Sequence, residues 1–381
     1  MKIMYVGKYP TWYKYSYGGE EHVQKIAEQM AKKGHEVYLV NSVYEGRRYG
    51  INFKRLSYED IPLVNFIKKE SFPLYPKVKD MRKLVKEIKP DIIHHFGLYG
   101  YSTEVLKKKE INVPTINTIL NLRTRASGCS LYSFLIRGKP LQFFRSLRER
   151  YTAENSDILV TASSEMAKAI KEEYKISNEI LVVHRGVSLD RFKMQPWDKV
   201  EKNTIIFVGR LEKTKGVQYI IKAVSIVKKE IDEVKLYIIG DGYYKKKLQR
   251  LTEKIGLDRN IIFIGKLPQE QVVKYYGKAN LFIMHSLFES FGVVALEAMA
   301  SGRPVIATKT GGTVDIVTEE TGKLVSYGDV EKLAEAIIYI LSNERLAKNM
   351  GAEGRKRAEI FTWENTAERY LEIYQGVLKH V

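Results

Sequence analysis

The chain has 381 residues, of which 63 are Lys or Arg and 45 are Asp or Glu, so its formal charge at pH 7 is +18. Hydrophobic residues make up 44% of it, and no apolar run approaches the roughly 18 residues that cross a membrane, which excludes a disordered and a membrane-spanning chain. No secretion signal precedes the first strand, and the single cysteine, Cys129, permits no intramolecular disulfide. We therefore expect a cytoplasmic protein.

The positive charge is concentrated in the first part of the chain. Residues 1–150 contain 28 basic and 14 acidic side chains, whereas residues 151–381 contain 35 and 31. An excess of this kind attracts phosphorylated molecules, anionic lipids or nucleic acid. The same lysine-rich composition is also typical of thermophile surfaces, and this alternative stays open.

The first half of the chain alternates between strand and helix patterns. A strand over 3–6 leads into a loop that ends at Gly18 and Gly19, and a helical pattern over 20–33 follows. Gly34 ends that helix and a second strand begins at residue 36, which makes a βαβ unit. Further strands are predicted at 91–94, 157–161 and 180–183. Such alternation is typical of a parallel sheet that is covered by helices.

A second series of the same kind begins at residue 204. Its strands are predicted at 204–208, 235–239, 261–264, 281–284 and 304–307, and helical patterns follow at 329–341, 344–360 and 363–379. The predicted fold class is α/β, with two Rossmann-like, doubly wound domains. We expect the first domain to comprise residues 1–195 together with a C-terminal helix, 363–381, that crosses back to it, and the second to comprise 196–362. Ligands of such sheets bind at the carboxyl ends of the strands.

Two loops at predicted strand ends contain residues suited to a phosphate. Gly18 and Gly19 precede a helix, where free backbone N–H groups and the helix dipole favour an anion, although most glycines before helices only form turns. Arg210 and Lys215 flank the loop after the strand 204–208. Two cations so placed suit the charge of a diphosphate leaving group, and the alternative is a pair of solvated surface charges.

A third loop contains two glutamates, Glu289 and Glu297. Glu289 falls after the strand 281–284, and residues 290–292 start a helix with unpaired N–H groups. Glu297 lies in an apolar stretch of that helix, so its carboxylate is desolvated unless it serves a hydroxyl-rich ligand. Carboxylates accept hydrogen bonds from sugar hydroxyls.

These residues resemble the donor-site signature of glycosyltransferase family 4, the retaining group 1 glycosyl transferases of the GT-B fold. Glu289 and Glu297 form its E-x7-E motif. The other matching segments occur in the family's order over nearly the whole chain. They are Gly18-Gly19, the helix after it with the segment Gly34-His35-Glu36-Val37 at its end, the segment Pro90-Asp91-Ile92-Ile93-His94, the segment Arg185-Gly186-Val187 with Asp190 and Phe192, and the loop that contains Arg210 and Lys215. The resemblance implies an acceptor-binding domain over 1–195 and a nucleotide-sugar-binding domain over 196–362, facing each other across a cleft.

The resemblance also implies a role for each site residue. Arg210 and Lys215 would hold the diphosphate of a UDP- or GDP-sugar, and with Glu289 they would be the catalytic residues. Glu297 would bind the ribose hydroxyls and Glu289 those of the transferred sugar. The remaining donor contacts would come from Gly18, Gly19, Phe291, Gly292, Val293 and Val294 at the diphosphate and from Lys266 and Leu267 beside the base. No cofactor or metal is expected, because two cations and a helix dipole take the part that magnesium plays elsewhere.

The acceptor side departs from the family pattern. Family members often carry a histidine after the strand that follows an x-Val/Ile-Pro segment, and here that segment, 113–122, contains none. Asn117 or Asn121 would substitute as a hydrogen-bonding group, or the acceptor is held differently. His94 and His95, at the end of another strand, are further candidates that are as often structural as functional. The acceptor would be a hydroxyl of a sugar or of a lipid-linked or phosphorylated molecule.

A basic and aromatic segment, 123–150, suits an anionic membrane surface or a phosphorylated or lipid-bearing acceptor. Its apolar residues would equally well pack onto the first domain. Membrane docking would place the protein at the inner face of the membrane. No nucleic-acid partner is expected, since no binding motif is present. The rival functions are a glycoside phosphorylase or sugar-nucleotide epimerase of the same fold, and a non-catalytic module that binds membrane or nucleic acid.

Overall fold

Hydrophobic strands and amphipathic helices alternate along the chain and build two parallel sheets. The computed structural model describes residues 1–7, 18–42, 44–56, 58–59, 75–108, 110–122 and 140–379. The chain divides into two units, Met1–Arg185 with Trp363–Val381 and Gly186–Thr362. Each unit contains its own doubly wound sheet, which confirms the predicted α/β fold class.

The sheet of the first unit has eight described strands. The strands of this unit are β1 (Lys2–Val6), β2 (Glu36–Asn41), β3 (Gly46–Arg48), β4 (Ile51–Arg55), β5 (Tyr58–Glu59), β6 (Tyr75–Pro76), β7 (Ile92–Phe96), β8 (Thr115–Ile119), β9 (Ile158–Thr161) and β10 (Ile180–Val182). The sheet order is β10-β9-β8-β7-β1-β2-β4-β3, and β5 pairs with β6 separately. The β3–β4 hairpin makes one edge antiparallel, while β1, β2 and β7 to β10 pair in parallel.

Helices cover this sheet because their apolar residues recur at the helical period. They are α1 (Gly18–Lys32), α2 (Val78–Ile88), α3 (Tyr101–Lys107), α4 (Pro140–Asn155) and α5 (Ser164–Tyr174). In α1 the buried residues Val23, Ile26, Ala27 and Met30 pack against the sheet. The start of α1 at Gly18 places the Gly18-Gly19 pair in its first turn.

The second unit repeats the scheme with six described strands in the order β13-β12-β11-β14-β15-β16, all pairing in parallel. The strands are β11 (Thr204–Val208), β12 (Lys235–Ile239), β13 (Ile261–Gly265), β14 (Leu281–Met284), β15 (Val305–Thr308) and β16 (Gly322–Val325). The helices are α6 (Val217–Val227), α7 (Lys245–Lys254), α8 (Gln269–Lys278), α9 (Val293–Ala300), α10 (Thr313–Ile316), α11 (Val330–Leu341) and α12 (Glu344–Ala358).

The last helix, α13 (Trp363–Leu378), packs on the sheet of the first unit. The hydroxyl of Tyr374 lies 3.0 Å from that of Tyr5 and 2.6 Å from Nδ1 of His94. The hydroxyl of Tyr370 bonds Oγ1 of Thr118 at 3.0 Å. All five side chains are buried, so these hydrogen bonds satisfy polar groups that would otherwise be costly to bury.

Residues 186–195, expected in the first domain, make their contacts in the second unit. The Val187 N–H donates to the Phe361 carbonyl at 2.8 Å, and the Gln195 N–H donates to the Ser301 carbonyl at 3.1 Å. Arg303, which is fully buried, donates to the carbonyls of Gln195 and Pro196 and, from the same guanidinium, to those of Tyr276 and Gly277. Hydrophobic periodicity carries no information about such backbone contacts, so the sequence did not show them.

None of the helices in the described ranges is long and apolar enough to span a bilayer.

Candidate active site

The loops after β11 and β14 meet because these two strands are neighbours in the second sheet. The Leu287 N–H donates to the Thr214 carbonyl at 2.8 Å. Gly216, at φ +68°, lies so close to the second loop that a Cβ atom there would be 1.8 Å from the His285 carbonyl oxygen. Only glycine allows this approach, so Gly216 lets the two loops pack directly against each other.

An ion pair joins the two loops at their tips. Nζ of Lys215 lies 2.7 Å from Oε2 of Glu289, and the two side chains are only 22% and 19% exposed. The Glu289 backbone is fixed as well, since its carbonyl accepts the N–H of Gly312 at 2.9 Å. The predicted cation and the predicted carboxylate are thus in direct contact, at the carboxyl ends of adjacent strands.

Arg210, the second predicted cation, also follows β11 but has a different environment. Its side chain is 62% exposed, and Nη1 contacts Oε1 of Glu212 at 2.6 Å. The backbone beside it is anchored, because the Leu211 N–H donates to the Asp241 carbonyl at 2.9 Å. Each cation therefore has a carboxylate partner that an incoming anion would have to replace.

The start of α9 lies at the same strand end. Gly292, at φ +98°, precedes the helix, and the N–H groups of Val293 and Val294 are among those that the helix itself leaves unpaired. Phe291 is buried, with its ring 6.0 Å from that of Phe361, so it packs in the core while its backbone leads into the helix. This start offers N–H groups and a helix dipole to an anion.

Glu297 is buried on α9, as its apolar surroundings predicted. It is 5% exposed; its Oε2 accepts from the Tyr276 hydroxyl at 3.3 Å and its Oε1 from the Gln269 amide at 3.4 Å. Burial and the nearby charge of Glu297 raise the pKa of Tyr276 well above its ordinary value, so this hydroxyl stays a donor. Tyr276 and Gln269 were not predicted, because only the sheet order brings α8 beside α9.

The remaining predicted donor residues lie just after a strand or at the start of a helix. Lys266 and Leu267 directly follow β13, with Lys266 exposed and Leu267 half-buried. Gly18 and Gly19 belong to the first unit, at the start of α1. Their contacts with a donor stay predictions.

The acceptor candidates differ sharply in accessibility. His94 is fully buried and both ring nitrogens are bonded, Nδ1 to Tyr374 and Nε2 to Thr118 at 2.7 Å, so neither is left for an acceptor. Burial also lowers its pKa well below the ordinary value. His95 is buried against Glu104 at 2.8 Å. These geometries favour the structural alternative for both histidines.

The two asparagines have opposite environments. Asn117 is buried, and its Oδ1 accepts the Gly97 N–H at 2.9 Å. Asn121 is exposed after β8. Of the two, only Asn121 could reach an acceptor without a rearrangement of the core.

His285 is a neighbour of the site that no sequence motif indicated. It follows β14 directly and is fully buried, and its Nε2 accepts the Gly328 N–H at 2.9 Å. The ring stacks on Tyr327 with centroids 5.5 Å apart. Burial lowers its pKa to about 4, so it stays neutral and supports the loop that carries Glu289. Its place directly after a buried strand was the available signal.

Most of the basic segment 123–150 lies outside the described residues. Within the described part, the Arg148 guanidinium lies 5.4 Å from the ring centroid of Tyr101, and Arg150 pairs with Glu154 at 2.7 Å. Both arginines thus contact protein groups. Among the side chains that the structure describes, no three His, Cys, Asp or Glu residues are grouped as a metal site requires.

Solved structures share this fold over the whole chain. Sucrose-phosphate synthase from Thermosynechococcus elongatus superposes with a TM-score of 0.79 at 21% identity, covering 100% of each chain. The Anabaena protein HepE, in a structure with UDP, superposes with a TM-score of 0.76 at 16% identity, covering 99% of this chain and 100% of that one. Two doubly wound units with this likeness define a GT-B protein, as predicted.

Two family models match consecutive parts of the chain. The one described as "Glycosyl transferases group 1" matches residues 190–357, and the one described as "Glycosyltransferase Family 4" matches residues 17–191. The N-acetyl-alpha-D-glucosaminyl L-malate synthase of Bacillus anthracis is 25% identical over 374 residues, which are 93% of each protein. The chain belongs to the group 1 glycosyltransferases of family 4, and the predicted family and glycosyltransferase activity are confirmed.

Proposed function

We propose that the protein is a retaining glycosyltransferase that moves a sugar from a UDP- or GDP-sugar to an acceptor hydroxyl without a metal. The Lys215–Glu289 pair is the observation that carries this proposal. A nucleotide-sugar is an anionic diphosphate joined to a polyol, and the pair offers a cation and a hydroxyl acceptor 2.7 Å apart. A structure of the GT-B protein HepE with UDP supports the choice of donor class.

The proposed roles follow from the charges at the strand ends. Lys215, held in place between the two loops, binds the diphosphate, and the exposed Arg210 adds a fork of donors as negative charge builds on the leaving group. The N–H groups at the start of α9 receive further phosphate oxygens. Glu289 holds sugar hydroxyls and Glu297 the ribose, with Lys266 and Leu267 beside the base. Metal independence follows if these groups together neutralise the diphosphate.

The proposed reaction needs no nucleophile from the protein. The bond from the anomeric carbon to the phosphate oxygen breaks through an oxocarbenium-like state, and the acceptor oxygen bonds to that carbon from the same face. The acceptor proton passes to the departing phosphate oxygen. Glu289, which is already paired with Lys215, acts by binding hydroxyls and not by covalent attack.

An anionic acceptor suits the charge of the first part of the chain. Residues 1–150 carry twice as many basic as acidic side chains, 28 against 14. Two of the similar proteins are named for anionic partners or products, malate and sucrose phosphate. We include phosphorylated and lipid-linked hydroxyl compounds in the proposed acceptor class.

The first experiment is thermal stabilisation by a panel of nucleoside diphosphates and their sugar conjugates, with a chelator present. A ligand that binds only the folded state raises the Tm. We expect one base to be preferred, and no response from any nucleotide at millimolar concentration would contradict the donor site.

With the donor known, Arg210→Ala should lower kcat by about 100-fold or more, whereas Lys213→Ala, which removes an exposed cation from the same loop, should not. An inverted anomeric configuration in the product would refute the retaining mechanism.

A further inference from the structure

The outward face of α2 carries a stripe of lysines. Lys79, Lys83 and Lys86, which we call the lysine stripe, lie at positions i, i+4 and i+7 and are all exposed. The opposite face of α2 is buried through Met81, Leu84, Val85 and Ile88. Within the described ranges, no carboxylate lies within 4.0 Å of any of these three ammonium groups.

The other charged side chains of α2 have local explanations. Arg82 pairs with Glu110 at 2.7 Å, and Glu87 pairs with Lys54 at 3.1 Å. Asp80 lies in the first turn, where the helix dipole favours an acid. Like charges at i and i+4 destabilise a helix, so the stability of α2 does not explain the stripe.

An open groove adjoins the C-terminal end of the stripe. Its volume is about 410 Å³, and it includes Lys86 and Lys89. The rest of its lining is mostly apolar and comes from Val85, Pro90, Ile111 and Val113. Ammonium groups beside an apolar surface suit the interface of an anionic bilayer, where the lysines contact the headgroups and the apolar side chains contact the acyl chains.

We propose that the lysine stripe and this groove form a docking surface for an anionic bilayer. A nucleic acid fits less well, since no residue that lines the groove is aromatic and could stack on a base. The stripe contains only lysines, and the neighbouring Arg82 is occupied by Glu110. A lysine ammonium group acts as a point charge, which suits a diffuse anionic surface. It lacks the two parallel N–H donors with which an arginine guanidinium binds a phosphate or a base edge. The surface depends neither on the donor site nor on the segment 123–150.

The test is co-sedimentation of the full chain with phosphatidylcholine vesicles, with and without phosphatidylglycerol. We expect binding only when phosphatidylglycerol is present, weakened by salt. Each lysine near such a surface contributes about a five-fold gain in partitioning. Replacing Lys79, Lys83 and Lys86 together by Gln should therefore weaken binding by about 100-fold. The Tm should not fall, because the change removes like-charge repulsion from an exposed face.

The matched control removes the same charge elsewhere. Lys245, Lys246 and Lys247 lie in the first turn of α7 in the second unit, and their replacement by Gln should weaken vesicle binding by less than about five-fold. Equal losses in the two variants would show that net charge and not the stripe carries binding, which would overturn the proposal. Absence of binding to phosphatidylglycerol vesicles would overturn it as well. The proposal would also be overturned if the protein bound duplex DNA but not vesicles, and if the lysine-stripe variant lost that DNA binding.

Discussion

Removal of the charge of Glu289 should make the protein bind a free nucleoside diphosphate more tightly. Nζ of Lys215 is held by Oε2 of Glu289 at 2.7 Å. A diphosphate has to take Lys215 from this carboxylate, and a carboxylate left without its cation is costly in a site that is about four-fifths buried. In Glu289→Gln this competition disappears, while the amide keeps the shape of the side chain.

The size of the effect follows from the burial of the pair. A hydrogen bond to a charged group contributes about 1.5–3 kcal/mol to stability when it is shielded from water. Since about 1.4 kcal/mol corresponds to a factor of ten, the Kd for the nucleoside diphosphate should fall by about 10- to 100-fold. The Kd for the sugar conjugate should fall less, because the charged acceptor for the sugar hydroxyls is lost with the same change. The ratio of the Kd for the nucleoside diphosphate to the Kd for its sugar conjugate therefore decreases, and kcat falls.

The assay is isothermal titration of the preferred nucleoside diphosphate and of its sugar conjugate, at fixed salt with a chelator. Glu212→Gln is the matched control, because Glu212 holds Arg210 at 2.6 Å but the Arg210 side chain is 62% exposed. Exposed pairs contribute about 0–1 kcal/mol, so the control should change the Kd by less than about five-fold. A Kd for the diphosphate that is unchanged or weaker in Glu289→Gln would refute the competition between the carboxylate and the diphosphate.

Three further predictions concern stability and the loops of the site. Arg303→Met removes a buried guanidinium that donates to the carbonyls of Gln195, Pro196, Tyr276 and Gly277, and it should destabilise the second unit by about 2–4 kcal/mol in urea unfolding; a loss under about 1 kcal/mol would contradict this. Burial lowers the pKa of His285 to about 4, so the unfolded chain gains a proton first as the pH falls from about 6.5 toward 4, and stability is lost over that window. His285→Asn should flatten the Tm–pH profile there, and an unchanged slope would argue otherwise. Gly311→Ala puts a Cβ atom 1.7 Å from the Glu289 carbonyl oxygen and should weaken donor binding. The control is Gly256→Ala, which places alanine at a similar positive φ with no atom within 4 Å of its Cβ and should leave donor affinity unchanged. Equal donor affinities in the two variants would count against the predicted clash.

Hydrophobic periodicity predicted most strands of the two sheets, because most buried strands are short apolar runs bounded by turn residues. It did not predict β8, which is buried although Thr and Asn make up three of its five residues, nor β16. The strands β11, β12 and β14 have the predicted bounds. The hairpin of β3 and β4 was not predicted, since Gly46–Arg48 is fully exposed and polar and gives no apolar signal. β4 does alternate, with Ile51 and Phe53 buried and Asn52 and Lys54 partly exposed, and it pairs with β2 inside the edge strand β3.

The candidate site was predicted in its residue types but not in its contacts. Lys215 and Glu289 each stood out because a charged side chain follows a buried strand. Nothing in the sequence showed that they touch, or that Tyr276 and Gln269 surround Glu297. His94 was expected at a strand end, but it lies inside β7, and its hydroxyl partners on α13 and β8 favour the structural alternative that the sequence left open.

Strand order explains why the contacts form where they do. In the second sheet β11 has β12 on one side and β14 on the other, so the chain leaves β11 in one direction and later returns to its opposite edge. The loops after β11 and β14 therefore lie where the strand order reverses, and such switch points are where doubly wound sheets bind ligands. Lys215 and Glu289 are 74 positions apart in sequence, yet each follows one of these two strands. The pairing of β11 with β14 brings this cation and this carboxylate together, and the site consequently depends on topology as much as on the residues themselves.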